Sequence, residues 1–378
     1  MNKRITPEIS RRTFLKATAA GVVSLNLGAQ ISGCSRKHDA QTIRNVRTLG
    51  ERSKIVLVRN EHAIDFSGNA DSRIVQQLVD SALMRFTGEA DIARAWRQFI
   101  APGDVVGIKV NAIAENKGPC TKPEVALAIA NGLVAAGVPP NNIIIWDKFW
   151  EQLEAAGYRI NMSEKGVRCF GTNNLGSILG KKIGYLQFNS AVHRFGKVET
   201  RFSKIFADYC SAIINVPVLK DHQMAGITLC MKNMYGCIQN PFDYHDNGCN
   251  PFIADLNALP AVRAKVRLNV CDCLRGLFHG GPTGKPDWQW SYNGIMVGTD
   301  PVALDWFGWQ IIEAKRAAQE MPSLAEEGRH PHFIETAADD QHKLGYNDPL
   351  KIIVDKAEIG GSESKLSHSG SKKIFTEK

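Results

Sequence analysis

The chain has 378 residues, of which 44% are hydrophobic and 22% charged, proportions that are ordinary for a globular protein of one large or two medium domains. Its formal net charge is +8, and residues 1–33 carry half of it. The remaining positive charge is spread without basic blocks. Composition therefore argues against a nucleic-acid partner and is compatible, at most, with a preference for anionic small molecules.

The first residues carry an export pattern. Residues 10–16, SRRTFLK, match the twin-arginine motif S-R-R-x-F-L-K at every fixed position. The apolar run that follows, up to residue 33, is interrupted by polar residues and is too polar to span a membrane. We expect residues 1–33 to be a twin-arginine signal peptide, the twin-arginine translocase to be a partner, and the mature protein to reach the periplasm.

The signal region ends in residues 31–34, ISGC, which resemble the lipobox of bacterial lipoproteins. In a lipobox the cysteine is lipid-modified, so Cys34 is the predicted lipidation site and would anchor the protein at the membrane surface. The alternative is cleavage nearby, which would leave a soluble periplasmic protein. Residues 34–53 are polar and basic and are predicted to be a tether, and residues 361–378 are predicted to be a flexible tail.

Between tether and tail, strand patterns and helix patterns alternate. Strands are predicted at 54–58, 104–110, 142–147, 212–219, 265–271, 294–298 and 351–355, with a weaker β region over 167–202. Helices are predicted at 72–87, 91–100, 124–136, 149–156 and 203–209, from about 226, and after Asp300. This alternation predicts a single α/β domain over residues 54–360, with a mainly parallel sheet and helices on both faces.

Local signals mark several helix boundaries. Residues 121–124, TKPE, match a capping box with proline in the first turn, and Gly137 is expected to end that helix in a left-handed conformation. Asp300, which is followed by Pro301, is predicted to be the N-cap of the last long helix. Asp305 then falls in the second turn, where it can face the edge of the sheet.

Cysteine usage leaves two possibilities open. None of the nine cysteines is spaced C-x-x-C, so the usual zinc and ferredoxin patterns are absent, and the eight that remain after Cys34 permit disulfides in an oxidising periplasm. Cys169 and Cys210 are expected to be buried apolar residues. The others that lie close in sequence are candidates to gather near one site, where they would surround a cofactor if one is present: Cys230, Cys237, Cys249, Cys271 and Cys273.

Ligands of parallel α/β sheets bind beside the carboxyl ends of the strands. Four polar side chains follow predicted strands and are therefore candidate site residues: Asn111, Asp147, Lys220 and Asp272. The loop DYHDNGCNP adds His245 and Cys249. This loop is either a plain surface loop or a lid that carries metal or substrate ligands, and the sequence does not decide between the two.

Standard nucleotide-binding and hydrolase motifs are absent. The loop HGGPTGKP at 279–286 lacks the first glycine of a phosphate-binding loop, and Pro286 stands where that loop needs a magnesium-binding Ser or Thr. No G-x-G-x-x-G follows a predicted strand, and neither H-E-x-x-H nor G-x-S-x-G occurs.

The most unusual stretch is 218–236, VLKDHQMAGITLCMKNMYG, which sets two lysines and a histidine among apolar residues. A strand that ends at residue 219 would deliver Lys220 and His222 to the carboxyl edge of the sheet. A turn at Gly226 would then lead into a helix that brings Lys232 back over the same edge. The alternative is a surface strand end with Lys232 reaching out to solvent.

We predict a shared site in this stretch. Lys220 and Lys232 would supply positive charge for a small anion, and His222 would act as a general acid/base. Thr228 and Asn233 are predicted to help bind the substrate through their polar groups.

The same stretch resembles the family catalogued as domain of unknown function 362, whose pattern is roughly N-x-P-x-x-K-[TD]-H, then [VI]-T, then K-N-x-x-G. The matching residues are Asn215, Pro217, Lys220, Asp221, His222, Thr228, Lys232, Asn233 and Gly236. The blocks IKVNA, CTKPEV and DPVALD also look like the family's, so the resemblance covers about residues 54–356. Many members are named as iron–sulfur proteins because a ferredoxin segment is attached, and this chain lacks that segment. The resemblance implies an iron–sulfur or other metal cofactor. The candidate ligands for such a group in this sequence are Cys230, Cys237, His245, Cys249 and Asp272.

A fainter resemblance is to the nickel-pincer lactate racemase family. In that family a histidine at a strand end is a catalytic acid/base, and a lysine ten residues later tethers the cofactor. His222 and Lys232 occupy those positions. The family's glycine pair before the lysine is missing, with Leu229-Cys230 nearby, and its arginine motif is not evident. The resemblance implies a cofactor-dependent oxidoreductase or a racemase-like enzyme.

Together these patterns predict an exported periplasmic enzyme, dependent on a metal or cofactor, that acts on a small anionic compound. The alternative is a non-catalytic periplasmic lipoprotein that binds a small molecule or a metal.

Overall fold

The computed structural model describes residues 50–113, 118–174, 187–195 and 198–360. The predicted signal peptide, the lipidation site Cys34, nearly all of the predicted tether and the predicted tail lie outside the described residues. The described residues all fall in the unit that begins at Ile43. Within those ranges, no helix combines the length and the apolar character needed to cross a membrane.

Twelve strands are described, and they follow the predicted alternation with shifted ends. They are β1 (Ser53–Arg59), β2 (Val106–Lys109), β3 (Ile143–Trp146), β4 (Arg168–Cys169), β5 (His193–Phe195), β6 (Val198–Thr200), β7 (Ala212–Asn215), β8 (Val218–His222), β9 (Gly226–Thr228), β10 (Val266–Leu277), β11 (Gln289–Gly298) and β12 (Ile352–Glu358).

The described α-helices are α1 (Ser72–Thr87), α2 (Ile92–Arg97), α3 (Pro123–Ala135), α4 (Trp150–Ala155), α5 (Cys230–Asn233), α6 (Phe252–Ala258), α7 (Pro260–Lys265), α8 (Pro301–Ala317) and α9 (Phe333–Ala338). The predicted helix at 203–209 is a single π-helical turn, Ile205–Tyr209. Several helices begin as predicted, because their start signals are local. Asp300, for example, caps α8 by accepting from the amides of Val302 and Ala303.

The main sheet has ten strands and is mostly parallel. Its order is β12-β1-β11-β10-β7-β2-β3-β4, and β8 pairs with β10 beyond the end of β7. Only the pairs β1/β11, β10/β11 and β8/β9 are antiparallel among the strands of this described sheet. The central strands β2, β3 and β7 are buried along their whole length, as expected when helices cover both faces.

Two apolar cores lie on the two faces of the sheet. On one face α1–α4 pack through residues such as Leu78, Trp96 and Ile129. On the other face α5–α9 pack through residues such as Met231 and Leu304. The predicted α/β architecture, with a mainly parallel sheet and helices on both faces, is therefore confirmed.

The predicted strand 212–219 and the helix predicted from about residue 226 are wrong. The chain makes two short strands, β7 and β8, and then turns back through Gly226 into the antiparallel strand β9. Gly226 adopts φ +77°, and a Cβ there would lie 2.3 Å from the carbonyl oxygen of Arg329, so glycine is required at this turn. Helix α5 begins only at Cys230 and is one turn long.

The predicted capping box at 121–124 is also wrong. Lys122 is the residue before α3, and it makes no side-chain cap. Thr121 instead accepts from the amide of Asn111 at 2.8 Å and donates to the carbonyl of Val216 at 2.7 Å. Its hydroxyl therefore joins the ends of two strands. Gly137 has φ +100°, the left-handed conformation predicted for it.

Candidate functional site

The Lys-Asp-His triplet lies inside β8 rather than in a loop after it, and all five residues of β8 are buried. The β8–β9 hairpin pairs Lys220 with Thr228 and His222 with Gly226. Strand β8 runs parallel to β10, so the triplet does lie at the carboxyl end of the sheet, as predicted.

His222 is held as a neutral imidazole in one tautomer. Its Nδ1 accepts from the backbone amides of Met224 and Ala225, each at 3.2 Å. Burial, followed by the nearby positive charge of Lys232, lowers its pKa to about 2. Because Nδ1 already faces two donors, the proton of the neutral ring is carried by Nε2, which makes His222 a hydrogen-bond donor.

Lys232 projects from α5 and meets His245. The Lys232 Nζ lies 3.2 Å from His245 Nε2, and His245 Nδ1 lies 2.9 Å from the carbonyl oxygen of Pro241. A carbonyl can only accept, so the imidazole carries its proton on Nδ1 and presents the lone pair of Nε2 to the lysine. Burial and the charge of Lys232 lower the pKa of His245 as well.

Aromatic rings enclose this pair. The ring of Tyr235 lies 4.2 Å from Lys232 Nζ, a cation–π distance. The ring of His222 stacks on that of His245 at 5.6 Å, and Phe242, which is 79% exposed, lies against His245 at 6.0 Å. His222 and Lys232 therefore share a neighbour in His245. Their predicted action on one ligand stays a prediction. His245 and the ring of Phe242 lead from the buried lysine toward solvent.

Lys232 has no carboxylate within ion-pair distance among the described residues. It is 6% exposed, and its remaining close neighbour is the thiol of Cys249. Burial lowers the lysine pKa to about 8. This ammonium group is therefore desolvated without a counter-charge from the described residues, which is an unusual state for a lysine.

Lys220 has a different environment. Its Nζ donates to Asn111 Oδ1 at 2.8 Å and to the carbonyl oxygens of Ile113 at 2.9 Å and Pro119 at 3.3 Å. Three acceptors satisfy the three donors of an ammonium group. Burial lowers the pKa of Lys220 to about 8 too, but its hydrogen bonds tie it to the loop after β2. Lys220 and Asn111 are thus hydrogen-bonded to each other. Their predicted direct contacts with substrate stay predictions.

Lys109 is a third buried lysine, and it was not predicted as a site residue. Its Nζ forms an ion pair with Asp147 Oδ1 at 2.8 Å and donates to the carbonyl of Val110 at 2.7 Å. Asp147 also accepts from the amides of Ala112 and Lys148, each at 2.8 Å. Asp147 was expected to bind substrate; each of its carboxylate oxygens already has a partner within the chain, and the substrate-binding role stays a prediction. The one sequence signal for Lys109 is its place in the block IKVNA.

Asn233 connects these groups. Its Oδ1 accepts from Asn111 Nδ2 at 3.0 Å and lies 3.4 Å from Lys109 Nζ, and its Nδ2 donates to Asn215 Oδ1 at 2.8 Å. An asparagine with this many partners is a structural link between strand ends. Thr228, the other predicted binding residue, is buried, and its hydroxyl has no hydrogen-bond partner within the described part of the chain.

The five cysteines do not gather at one place. Cys230 Sγ lies 3.4 Å from Cys271 Sγ in the core, with Cys273 on the same strand as Cys271, and all three are buried. Cys237 lies near Lys109 and Asp147, whereas Cys249 lies beside Lys232. All eight cysteines of the described residues are free thiols. A buried position raises the pKa of the Cys237 thiol to about 12, which disfavours the thiolate that a metal needs.

Asp272 is also remote from a ligand role. Its two oxygens accept from the amides of Lys122 and Leu274, at 2.8 and 2.9 Å, so it fixes the start of α3 to β10. Burial raises its pKa to about 6. The predicted ligand set of Cys230, Cys237, His245, Cys249 and Asp272 forms no group of three ligand atoms within 4.8 Å of one another, where the structure describes them. These residues do not fit an iron–sulfur cluster, which needs four converging ligands.

A second charged network braces the hairpin from outside. Arg329 Nη1 lies 2.8 Å from Asp221 Oδ2, and Arg329 also pairs with Glu327. Glu327 in turn contacts Arg316 of α8, at 2.5 Å. Arg329 follows Asp221 by more than a hundred residues, and nothing in the sequence pattern connects the two.

Residues 106–310 match the family described as a domain of unknown function, DUF362. The matched segment covers more than half of the chain and includes β2, β8, α5 and the start of α8. The chain belongs to this family. The DUF362 segment holds Lys109, Lys220, His222, Lys232 and His245, so the whole candidate site lies inside it.

No curated protein matches the chain. Among solved structures, a Thermotoga maritima protein determined by the Northeast Structural Genomics Consortium is similar at 9% identity with a TM-score of 0.35. The match covers 61% of this chain and 55% of that one, so the chain spans about half the length of the solved protein. For this DUF362 member, function has to be argued from the site.

Proposed function

We propose that the protein binds a small organic anion, such as a carboxylate, at Lys232 and that the Lys232–His245 pair exchanges a proton with it. One observation carries this proposal. Lys232 is a buried ammonium group whose only polar neighbours among the described residues are an imidazole nitrogen and a thiol. A ligand anion would supply the counter-charge that these neighbours do not.

His222 adds a directional contact to this site. Its Nε2–H is the free donor of the ring, because backbone amides occupy Nδ1. A neutral imidazole donor beside a lysine can polarise a carbonyl or a carboxylate without itself changing charge. We therefore replace the general acid/base role expected for His222 by a role as hydrogen-bond donor.

The proton-transfer role falls to the Lys232–His245 pair. The lone pair of His245 Nε2 faces Lys232 Nζ, so a proton can pass between these two atoms as a substrate gains or loses one. The pKa of Lys232, lowered to about 8 by burial, is close to neutral pH, where an acid/base group is most effective. Proton transfer beside a carboxylate is also the kind of chemistry that the lactate racemase resemblance implies, although the acid/base histidine proposed here is His245.

Binding can be tested first. A panel of small carboxylates is screened by thermal unfolding, where a ligand at about 100-fold its Kd should add about 2.7 kcal/mol to the free energy of unfolding. Lys232→Met should abolish this stabilisation. Lys265→Met is the matched control, since Lys265 also lacks a carboxylate partner but donates to the carbonyls of Phe206, Ala207 and Cys210.

The binding site would be refuted if the ligand stabilised Lys232→Met as much as it stabilises Lys265→Met and the unsubstituted protein. Anion affinity should also fall as the pH rises above about 8, because Lys232 then loses its charge. An affinity that stays constant from pH 7 to pH 9.5 would argue against Lys232 as the anion-binding group.

Catalysis is tested separately. Any carboxylate that binds is incubated with the protein in D2O, and deuterium incorporation next to the carboxylate is followed by NMR. His245→Ala should stop the exchange while binding persists. Binding without exchange in the unsubstituted protein would favour the non-catalytic alternative, a periplasmic small-molecule-binding protein.

We also propose export by the twin-arginine pathway and lipidation at Cys34. The motif SRRTFLK and the segment ISGC support these two proposals. The double variant Arg11→Lys, Arg12→Lys should leave precursor in the cytoplasm. Cys34→Ala should release the exported protein from the membrane fraction. Unchanged fractionation of either variant would contradict the corresponding step.

A further inference from the structure

Outside the candidate site, one cluster of side chains has the composition of a metal site. Two imidazoles and a carboxylate converge where the chain enters α9: His330, His332 and Glu335. One ligand atom from each residue lies within 4.8 Å of the others. Where the structure describes the chain, this is the one group of three metal-ligating side chains that meets this distance.

The local backbone brings these residues together. The amide of His332 donates to the carbonyl of His330 at 2.8 Å, which closes a tight turn around Pro331. Glu335 lies in the first turn of α9, one helical step after that turn. The imidazole centroids of His330 and His332 are 4.4 Å apart, and the ring of Trp309 packs edge-on against His330. One of the two imidazoles is thus oriented by the core helix α8.

The donor atoms are already near the spacing that a metal imposes. His330 Nε2 lies 3.0 Å from Glu335 Oε1, and His332 Nδ1 lies 3.3 Å from Glu335 Oε2. Ligands bound tetrahedrally to Zn²⁺ at about 2.0–2.1 Å are about 3.3 Å apart. The two imidazoles contact different oxygens of Glu335, and one ligand atom from each residue lies within 4.8 Å of the others, so side-chain rotation would have to bring the three atoms together around a divalent metal. The side chains of His332 and Glu335 are 63% and 56% exposed, which leaves an open path for the ion.

We infer that His330, His332 and Glu335 form a binding site for a divalent transition metal, with Zn²⁺ as the best match. Imidazole and carboxylate ligands suit zinc, and three protein ligands leave a position for water. The site is separate from Lys232, and it does not depend on the proposed anion binding. It adjoins Arg329, which contacts Asp221 and the carbonyl of His222, so the metal would sit on the segment that braces the β8–β9 hairpin.

The test uses the mature protein without a histidine tag, freed of metal by dialysis against chelator. Zn²⁺ binding is measured by titration calorimetry and by metal content after gel filtration. We expect one Zn²⁺ per chain. Loss of an outer-shell partner alone typically weakens metal binding by 10–100-fold, so loss of a ligand in His330→Ala or His332→Ala should weaken it by at least about 100-fold. Glu335→Gln, which keeps the shape but removes the charge, should weaken it less.

Two controls make the result decisive. His62→Ala removes an exposed histidine that lies 3.5 Å from Glu61, and it should leave Zn²⁺ affinity unchanged. His245→Ala removes the imidazole of the candidate active site and should also leave it unchanged. Equal affinity in His330→Ala, His332→Ala and the unsubstituted protein would overturn the inference, as would loss of the single Zn²⁺ in His245→Ala. Co²⁺ absorption spectra add a check, since a site without cysteine shows no thiolate-to-metal band.

Discussion

Lys109 and Lys232 are two buried lysines that lie near the same asparagine, Asn233, and they have opposite surroundings. Lys109 forms an ion pair with Asp147, and both side chains are almost fully buried, at 1% and 2% exposure. Lys232 faces an imidazole, a thiol and the ring of Tyr235. Desolvating the first lysine is offset inside the protein, whereas desolvating the second is not.

This difference separates a structural lysine from a functional one. A buried ion pair that is complete within the chain fixes strand ends and has nothing to offer a ligand. A buried ammonium group without a counter-charge is held in place by the fold at a cost in stability, and such strain is typical of binding and catalytic sites. The comparison predicts that substitutions at the two lysines affect stability and binding in opposite ways.

The largest effect should come from breaking the buried ion pair between Lys109 and Asp147. Lys109→Met leaves Asp147 buried without its cation and should lower the free energy of unfolding by about 3–5 kcal/mol. Lys232→Met removes a poorly compensated charge and should change it by no more than about 1 kcal/mol, or raise it. Urea unfolding followed by fluorescence measures both.

The double variant Lys109→Met, Asp147→Leu is the control, because it removes both charges and should recover most of the loss. If Lys232→Met destabilised the protein as much as Lys109→Met does, the presence or absence of a carboxylate partner would not decide how much a buried lysine contributes to stability. If the double variant stayed as unstable as Lys109→Met, the damage would come from packing and not from an unpaired charge.

A smaller effect is expected at Asp305, which positions α5 and therefore Lys232. Asp305 of α8 accepts from the amides of Cys230 and Met231, at 2.6 and 3.1 Å, and so holds the start of α5. Asp305→Ala leaves two buried amides without partners, at a cost of about 1–3 kcal/mol each. Removing a buried carboxyl group recovers part of this cost, so we expect the free energy of unfolding to fall by about 2–4 kcal/mol. It should also weaken anion binding, because α5 carries Lys232.

Asp305→Asn retains one acceptor oxygen and should lie between Asp305→Ala and the unsubstituted protein in both measurements. The same unfolding curves and the carboxylate titration are used for all three proteins. An Asp305→Ala protein that loses stability yet binds the anion with unchanged affinity would show that α5 is held by other contacts.

The sheet, and the carboxyl edge at which the candidate site lies, could be predicted from the sequence because both depend on local patterns. The apolar runs III in β3 and AII in β7 identify buried strands, and the Asp300-Pro301 start of α8 is a strong signal. The sequence missed the β8–β9 hairpin because a glycine before a mixed apolar segment fits a helix entry as well as a tight turn. The error placed Lys232 on a helix longer than the described one. In the structure Lys232 still lies near His222, since both contact His245.

The partners within the site could not be predicted, because they come from distant parts of the chain. Asp221 is held by Arg329, and Lys109 by Asp147, and no spacing rule connects either pair. Cysteine proximity in sequence was misleading for a similar reason. Cys271 and Cys273 alternate with Asp272 along β10 and face the core with Cys230, whereas Cys249 arrives at Lys232 from a loop.

The smallest predicted effect is a pH dependence that contrasts two histidines. Because burial and nearby positive charges lower the pKa of His222 to about 2, only the unfolded chain takes up a proton there below pH 6.5. Stability contributed by neutral His222 is therefore present above pH 6.5 and is lost as the pH falls, by up to about 1.4 kcal/mol per pH unit. His222→Gln removes this loss, so its stability relative to the unsubstituted protein should rise steadily from pH 7 to pH 5.

His342 supplies the control of opposite sign. Although burial acts to lower its pKa, hydrogen bonds to Asp255 and Asp339 raise it overall. The stability it contributes is then fully present below pH 6.5 and is lost as the pH rises through the folded-state pKa. His342→Gln should cost more stability at pH 5.5 than at pH 8, whereas His222→Gln should cost less. Urea unfolding at several pH values tests both, and parallel curves for His222→Gln and the unsubstituted protein would mean that His222 has the same pKa in the folded and the unfolded chain. In that case the Nε2–H donor proposed for anion binding would belong to an imidazolium below that pKa, and His222 would be a second cation of the site there.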